Sequence, residues 1–328
     1  MDKPEIAQIE VSTRCQLSCL MCPKSVYKCE WISKDMRMDT FKLIPFKKFK
    51  YIHLQGWGEP LLNRNIGQMI EVAKKHCKVG LTTNGLLIEE HIEDLLKTDL
   101  VAISVASADG NLHKKIRKCK LEKIAEGIRL LSEFRHKRPK ITITTMMLKS
   151  TIEILPSIID FAAECGVDEV IANNLDYIPS KDLVGMEIFE VNSKPSAEKF
   201  IRMAEKKAEE KGVEFIHRPL LMEEALVCAE NPTKTCLVTV DGLIAPCVYL
   251  HLPTTSKFIR RYFGGKKVEV PKTYFGHVSE FDKAWKSKKY RGFREVFKRR
   301  LSIIHEFLPL EYPTLPEVCR TCFKAYSV

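Results

Sequence analysis

Ile9-Glu10-Val11-Ser12-Thr13-Arg14-Cys15-Gln16-Leu17-Ser18-Cys19-Leu20-Met21-Cys22-Pro23 places three thiols within eight residues, directly after a run of β-type residues. One short loop at a strand end can therefore wrap three corners of a cubane iron–sulfur cluster. Three thiolates for about four irons leave one iron without a protein ligand, and an open coordination position separates a catalytic metal site from a closed structural one. Zinc fits this loop poorly. It favours Cys-x2-Cys pairs that combine into four ligands, whereas here three and then two residues intervene and no further ligand stands nearby.

Around this loop the first two thirds of the chain alternate β-rich runs with helical periods. Strands are expected at Ile9–Ser12, Tyr51–Leu54, Val79–Thr82, Val101–Val105, Lys140–Met146 and Glu169–Ala172, each rich in β-branched residues and bounded by turn signals. Between them Ile66, Met69, Ile70 and Ala73 recur at helical spacing, as do Leu155, Ile158, Ile159 and Ala162; Ile124, Ile128 and Leu131 mark another helix. Strands each followed by a helix predict an α/β fold with a parallel sheet and right-handed crossovers. Six such units are too few for the eight-unit barrel, so the expected form is a partial (βα)6 TIM-like barrel with its site at the C-terminal strand ends. A helix near Ala197–Lys211 and the segment Val213–Pro219 close it. The expected division is residues 1–215 for the barrel and 216–328 for a smaller iron–sulfur domain.

Bulk composition sets outer bounds. The chain has 328 residues, 45% hydrophobic and 29% charged, which is ordinary for a soluble globular protein. No uncharged apolar stretch is long enough to span a bilayer, and the N-terminus lacks the apolar run of a secretory signal, so a cytoplasmic protein is expected. Net charge is +11; it could attract nucleic acid, an anionic surface or an acidic substrate, or belong to a solvated face. No nucleic-acid module or aromatic-interleaved basic stripe accompanies it. Twelve cysteines are too sparse for a disulfide scaffold. Three crowd into positions 15–22, and five of the other nine lie beyond 227.

The Cys15-x3-Cys19-x2-Cys22 loop resembles that of the radical S-adenosylmethionine (SAM) superfamily. The resemblance implies that these cysteines carry a catalytic 4Fe–4S cluster whose open iron chelates the amino and carboxylate groups of SAM. Reductive cleavage then yields a 5′-deoxyadenosyl radical that abstracts a substrate hydrogen, with an external donor such as ferredoxin or flavodoxin supplying electrons. Where relatives carry an aromatic residue before the third cysteine, this chain has Met21. Gln55-Gly56-Trp57-Gly58-Glu59-Pro60 is similar to the family's Gly-Gly-Glu-Pro element, interrupted by Trp57; Gly58 and Glu59 are implied contacts of the SAM amine. Thr82-Thr83-Asn84-Gly85 looks like the family's Thr-Asn-Gly turn, which brings in Asn84. Ser104 matches a ribose contact, although the accompanying Ser-hydrophobic-Asp-Gly text is displaced to Ser107–Gly110. Arg117 resembles an arginine that pairs with the SAM carboxylate, and reads equally as a solvated helix charge.

A second group of signals lies downstream. Cys228 precedes Val238-Thr239-Val240-Asp241-Gly242-Leu243-Ile244-Ala245-Pro246-Cys247, which reads as a hairpin with an Asp-Gly turn delivering a thiol, and Cys319-x2-Cys322 follows. Four thiolates make a closed site, either zinc or a cluster. The spacing resembles the SPASM and twitch extensions of radical SAM enzymes, which implies one auxiliary 4Fe–4S cluster on Cys228, Cys247, Cys319 and Cys322. Cys236 competes with Cys228 and fits the spacing less well. Cys29, Cys77, Cys119 and Cys165 read as ordinary buried thiols.

These resemblances imply a radical SAM enzyme acting on a peptide or a cofactor precursor. The Cys228–Cys247 and Gly276–Arg294 texts are most similar to maturases associated with tungsten-containing oxidoreductases. Lys257, Arg260, Arg261, Lys266 and Lys267 read as a solvated face or as contacts to an anionic substrate. Two other classes compete. A non-catalytic iron–sulfur scaffold or electron carrier has no use for the SAM-contact motifs, and a zinc-stabilised nucleic-acid binder rests on charge alone.

Overall fold

The structure, a computed structural model, describes residues 3–136, 138–189, 197–302 and 313–328. Its strands are β1 (Ile6–Ile9), β2 (Tyr51–Leu54), β3 (Lys78–Thr83), β4 (Leu100–Ser104), β5 (Lys140–Met147), β6 (Glu169–Asn174), β7 (Glu214–His217), β8 (Thr235–Val238) and β9 (Ile244–Ala245). They form one sheet in the order β7-β6-β5-β4-β3-β2-β1-β8-β9. All neighbours pair in parallel except β9, which folds back antiparallel on β8.

The expected α/β sheet is present, with two differences. β1 begins at Ile6 rather than Ile9, because its ladder to β2 starts at Ile6 opposite Tyr51. Ser12 instead bridges Asp35, so the predicted end of the strand is already loop. The sheet also grows beyond six strands. Val213–Pro219 contains β7, and β8, from the C-terminal third, docks parallel on β1 with Ala7 opposite Cys236.

Alternation explains what the sheet encloses. Successive side chains point to opposite faces. Ile52, Leu54, Val79, Leu81, Ile141 and Ile143 are inaccessible and pack against the helices, each contributing roughly 1.5–3 kcal/mol by burial. The residues between them are mostly polar: Tyr51, His53, Thr82, Ser104, Thr142 and Thr144 line a cavity instead. One cavity touched by every strand from β2 to β6 requires the sheet to curl into a partial barrel. The outer helices follow the periodicities read from sequence. Ile66–Lys74 buries Ile66, Met69, Ile70 and Ala73, and Leu155–Glu164 buries Leu155, Ile158, Ile159 and Ala162 with Pro156 in its first turn. Glu198–Lys211 stops at Gly212, whose φ of 67° suits glycine.

The C-terminal part is tied to this barrel. Gly242 (φ 76°) turns β8 into β9 as the Asp-Gly signal predicts. A second hairpin, β10 (Phe258–Phe263) and β11 (Lys266–Pro271), turns at Gly264-Gly265. In the Lys288–Ser302 helix, fully buried Arg300 donates to the carbonyls of Ala225 (2.9 Å) and Leu226 (3.0 Å), which fixes the segment leading to Cys228.

Candidate functional site

The cavity inside the curl has a volume of about 570 Å³ and is lined by the strands and by the loops that follow their C-terminal ends. Cys15, Cys19 and Cys22 line it from the loop that follows β1. The loop is held from several sides. Leu20 N donates to Ile116 O (2.9 Å), Cys22 N to Cys19 O (3.2 Å), and Cys15 Sγ accepts from Leu17 N at 3.4 Å. Burial, with Cys19 and Cys15 beside it, pushes the Cys22 thiol up to about 12, and burial also raises Cys15. These thiols sit close enough to oppose one another's ionisation, a cost that a bound cation reverses.

The turns after β2 and β3 are joined through Glu59. Its carboxylate accepts from Thr83 Oγ1 (2.7 Å), Asn84 N (2.7 Å) and Leu61 N (3.1 Å), and the residue is almost wholly buried. Burial raises its pKa, opposed by those three donors and by Arg117. A carboxylate offers about four acceptor positions, so one remains for a ligand. Asn84 Nδ2 reaches Gln16 Oε1 (3.2 Å) and Cys15 Sγ (3.8 Å), which connects the Thr-Asn-Gly turn to the cysteine loop. Gly58 lies under the same loop: a Cβ there would stand 2.4 Å from Ser12 O and 2.6 Å from Arg14 O. Ser104 lines the cavity at the end of β4. The displaced Ser107–Gly110 text has another task, since Asp109 caps the Gly110–Arg117 helix by accepting from Leu112 N at 2.7 Å.

Arg117 is half-buried. Its side chain lines the cavity, and its buried Nε has no partner among the described residues. All eight sequence-predicted residues of the first region, Cys15, Cys19, Cys22, Gly58, Glu59, Asn84, Ser104 and Arg117, thus face one space.

Cys228, Cys247, Cys319 and Cys322 also come together. Burial raises all four thiols, Cys228 to about 12, and Cys247 feels Cys228, Cys319 and Cys322 as neighbours. Cys236 stays apart on β8, buried in the barrel core opposite Ala7. Among the described residues no group of three or more His, Cys, Asp or Glu is drawn together tightly enough for a single metal ion.

Several other sequence readings meet the structure here. Arg261 is buried and donates to Val318 O (2.8 Å) and Thr321 Oγ1 (3.1 Å), so it holds the last cysteine loop; Arg260 pairs with Glu30 over the Tyr27 ring. Lys257, Lys266 and Lys267 remain exposed. Cys29 is exposed rather than buried, and Cys119 lies 3.6 Å from His113 Nε2. Sequence reasoning missed His53, Asp176, Arg218, Glu230, Tyr249 and Lys324, all of which line the cavity. Among the described residues no helix is long and apolar enough to cross a membrane.

Comparison with known proteins converges on the same two regions. The radical SAM superfamily model matches residues 9–162, and the SPASM iron–sulfur cluster-binding domain model matches residues 228–323. A tungsten-containing aldehyde ferredoxin oxidoreductase cofactor-modifying protein of Pyrococcus furiosus is 28% identical over 313 residues, covering 89% of this chain and 84% of that protein. A probable GTP 3′,8-cyclase of Methanococcus aeolicus is 28% identical over 265 residues, 74% of this chain and 84% of that protein. Among solved structures, Streptococcus suis SuiB bound to S-adenosylmethionine aligns with TM-score 0.64 at 15% identity, covering 97% of this chain and 78% of that one. Native anSMEcpe with bound AdoMet and Cp18Cys peptide aligns with TM-score 0.64 at 16% identity, covering 98% and 96%. These two share the fold.

Proposed function

Because the chain belongs to the radical SAM superfamily and carries a SPASM iron–sulfur domain, we propose that it is a maturase that abstracts hydrogen from a cofactor precursor or a peptide held in the barrel cavity. The observation that carries this reading is the meeting of the three-cysteine loop with Glu59, Asn84, Ser104 and Arg117 in one cavity. A guanidinium and a carboxylate beside three thiols suit a ligand that carries both a carboxylate and an amine.

SAM and a 4Fe–4S cluster fit these residues. Together they supply, when bound, reductive cleavage of the sulfonium and a 5′-deoxyadenosyl radical. Cys15, Cys19 and Cys22 would hold the cluster. Arg117 would take the SAM carboxylate, and the remaining acceptor position on Glu59 the amine. Gly58, having no side chain, lets that turn lie against the cysteine loop. Asn84 braces the loop and Ser104 offers a hydroxyl to the ribose. Trp57, which meets the Tyr177 ring at a tilt (5.3 Å) and the Tyr249 ring edge-on (6.4 Å), forms part of the cavity wall.

Cys228, Cys247, Cys319 and Cys322 would bind one auxiliary 4Fe–4S cluster, in a C-terminal domain that begins near residue 216. Ferredoxin or flavodoxin would supply electrons. The name of the Pyrococcus furiosus relative supports cofactor maturation over peptide modification. The test is anaerobic turnover of reconstituted protein with SAM and dithionite. Formation of 5′-deoxyadenosine is expected; intact SAM after full cluster loading overturns the reading.

A further inference from the structure

Glu230, Tyr249 and Lys324 each stand two residues beyond a cysteine of the C-terminal group, namely Cys228, Cys247 and Cys322. All three line the barrel cavity, together with Asp176 and Asn173 from β6 and its following loop and Arg218 just beyond β7. Whatever gathers those cysteines therefore also builds one charged wall, within the same cavity as the Cys15–Cys22 loop.

Within this wall the charges are not all neutralised. Lys324 Nζ lies 2.6 Å from Asp176, with both side chains largely buried, and Tyr249 sits beside the same carboxylate. That pair is satisfied. Arg218 commits only Nε, to Asn173 Oδ1 at 3.4 Å, which leaves its forked amino groups without partners among the described residues. Glu230 makes no side-chain hydrogen bond among the described residues, although Lys324 and Arg218 are both within Coulombic reach. A guanidinium fork and a carboxylate that share a sheltered cavity without bonding each other are matched by a ligand that supplies the opposite of each. An internal peptide residue with an uncharged side chain would leave both unpaired.

We propose that Arg218 and Glu230 form a two-point reader for a small zwitterionic substrate, Arg218 taking a carboxylate or phosphate and Glu230 a cationic or N–H-rich group. This rests on the cavity being the substrate site of the proposed enzyme, and within that reading it selects a free small molecule over an internal residue of a peptide. Asp176–Lys324 and Tyr249 fix the wall behind the two readers.

The test is a molecular ruler. ω-Amino carboxylates and ω-aminoalkyl phosphates of increasing chain length are titrated calorimetrically into anaerobic, SAM-loaded holoprotein, beside alkylamines and alkyl carboxylates of matched length. Affinity is expected to peak at one length, about tenfold above both single-charge controls, as two charge-assisted contacts require. The better of the two anion series identifies the acidic group. R218M should erase the advantage of the anionic end, and E230Q that of the cationic end. R218K and E230D keep each charge and should shift the preferred length, so they carry the test if the neutral variants lose their fold. A flat length profile, or a peak untouched by all four substitutions, overturns the proposal. 5′-Deoxyadenosine is assayed in the same preparations: a flat profile with SAM cleavage sinks the reader alone, and a sharp peak without cleavage sinks only the catalytic reading.

Discussion

His251 Nε2 lies 2.9 Å from Glu10 Oε2 in the buried seam between the C-terminal part and β1. The same Glu10 accepts from Trp57 N at 3.0 Å, and His251 O accepts from Trp57 Nε1 at 2.8 Å. Glu10 fits because residue 56 is glycine, where a Cβ would stand 2.2 Å from Glu10 Cγ. The C-terminal part thereby grips the turn that presents Gly58 and Glu59. His251→Ala leaves a buried carboxylate short of a partner, which costs about 1–3 kcal/mol. The expected result is a lower melting temperature together with weaker SAM binding, seen as a higher SAM concentration needed to change the cluster's electron paramagnetic resonance spectrum. A destabilised variant with unaltered SAM affinity would show that the turn is held without His251.

The two cysteine groups predict different losses. Cys19→Ala removes one of only three thiols on the N-terminal loop and should abolish 5′-deoxyadenosine formation. Cys319→Ala touches the group in which Cys228, Cys247 and Cys322 are the neighbours, and should retain some SAM cleavage uncoupled from substrate. Iron content and turnover of both variants provide the check. Equal, complete loss of cleavage would argue against separate roles.

The fold was largely legible because a parallel sheet writes each strand as a local β-branched run and each helix as a local period. The Cys15–Cys22 loop was legible for the same reason, since all its thiols lie in one short segment. What escaped reading depends on contacts between distant parts. β8 lies more than two hundred residues from β1 in sequence, so nothing local marks it as a barrel strand. The polar interior residues of β2 to β5 read as ordinary strand alternation, and only the curl turns that alternation into a cavity lining. Glu230, Tyr249 and Lys324 carried a faint signal, their shared distance from a cysteine, which gains meaning once the three cysteines are brought together.

Gly58 is closed to any side chain by backbone rather than by a flexible neighbour. An added Cβ meets Ser12 O and Arg14 O at 2.4 and 2.6 Å. Gly58→Ala must push the cysteine loop away, at a cost of roughly 1–3 kcal/mol, and iron loading at the N-terminal site should fall with it. Gly292, with nothing within 4 Å of an added Cβ and a helical position, should accept alanine with a gain of a few tenths to about 1 kcal/mol. Parallel melting curves and iron assays compare the two; full iron loading in the Gly58→Ala variant would refute the loop displacement.

Arg117 offers the carboxylate of SAM its only proposed cationic partner. Arg117→Met keeps the length of the side chain and removes the charge, and loss of a charge-assisted contact of about 1.5–3 kcal/mol corresponds to roughly 10–100-fold weaker SAM binding. The KM for SAM should rise more than kcat falls, because the contact exists before any bond is cleaved. A fall confined to kcat would move Arg117 from binding to another role.

His53 makes stability depend on pH. Its ring nitrogens lie 2.7 Å from the Tyr51 hydroxyl and 2.7 Å from Thr82 Oγ1, and burial lowers its pKa to about 4. An imidazole in the unfolded chain titrates near ~6.5. Between those values the unfolded state binds a proton that the native state refuses, so this contribution to stability is complete above the unfolded value and shrinks as pH falls. From pH 7 to about 5 the loss is about 2 kcal/mol for one such histidine. His113, lowered to about 4 by burial and by Arg117, adds a loss of the same sign. Urea unfolding at both pH values should show His53→Gln losing less stability on acidification than the wild type. Identical losses would mean that His53 takes up its proton in the folded protein.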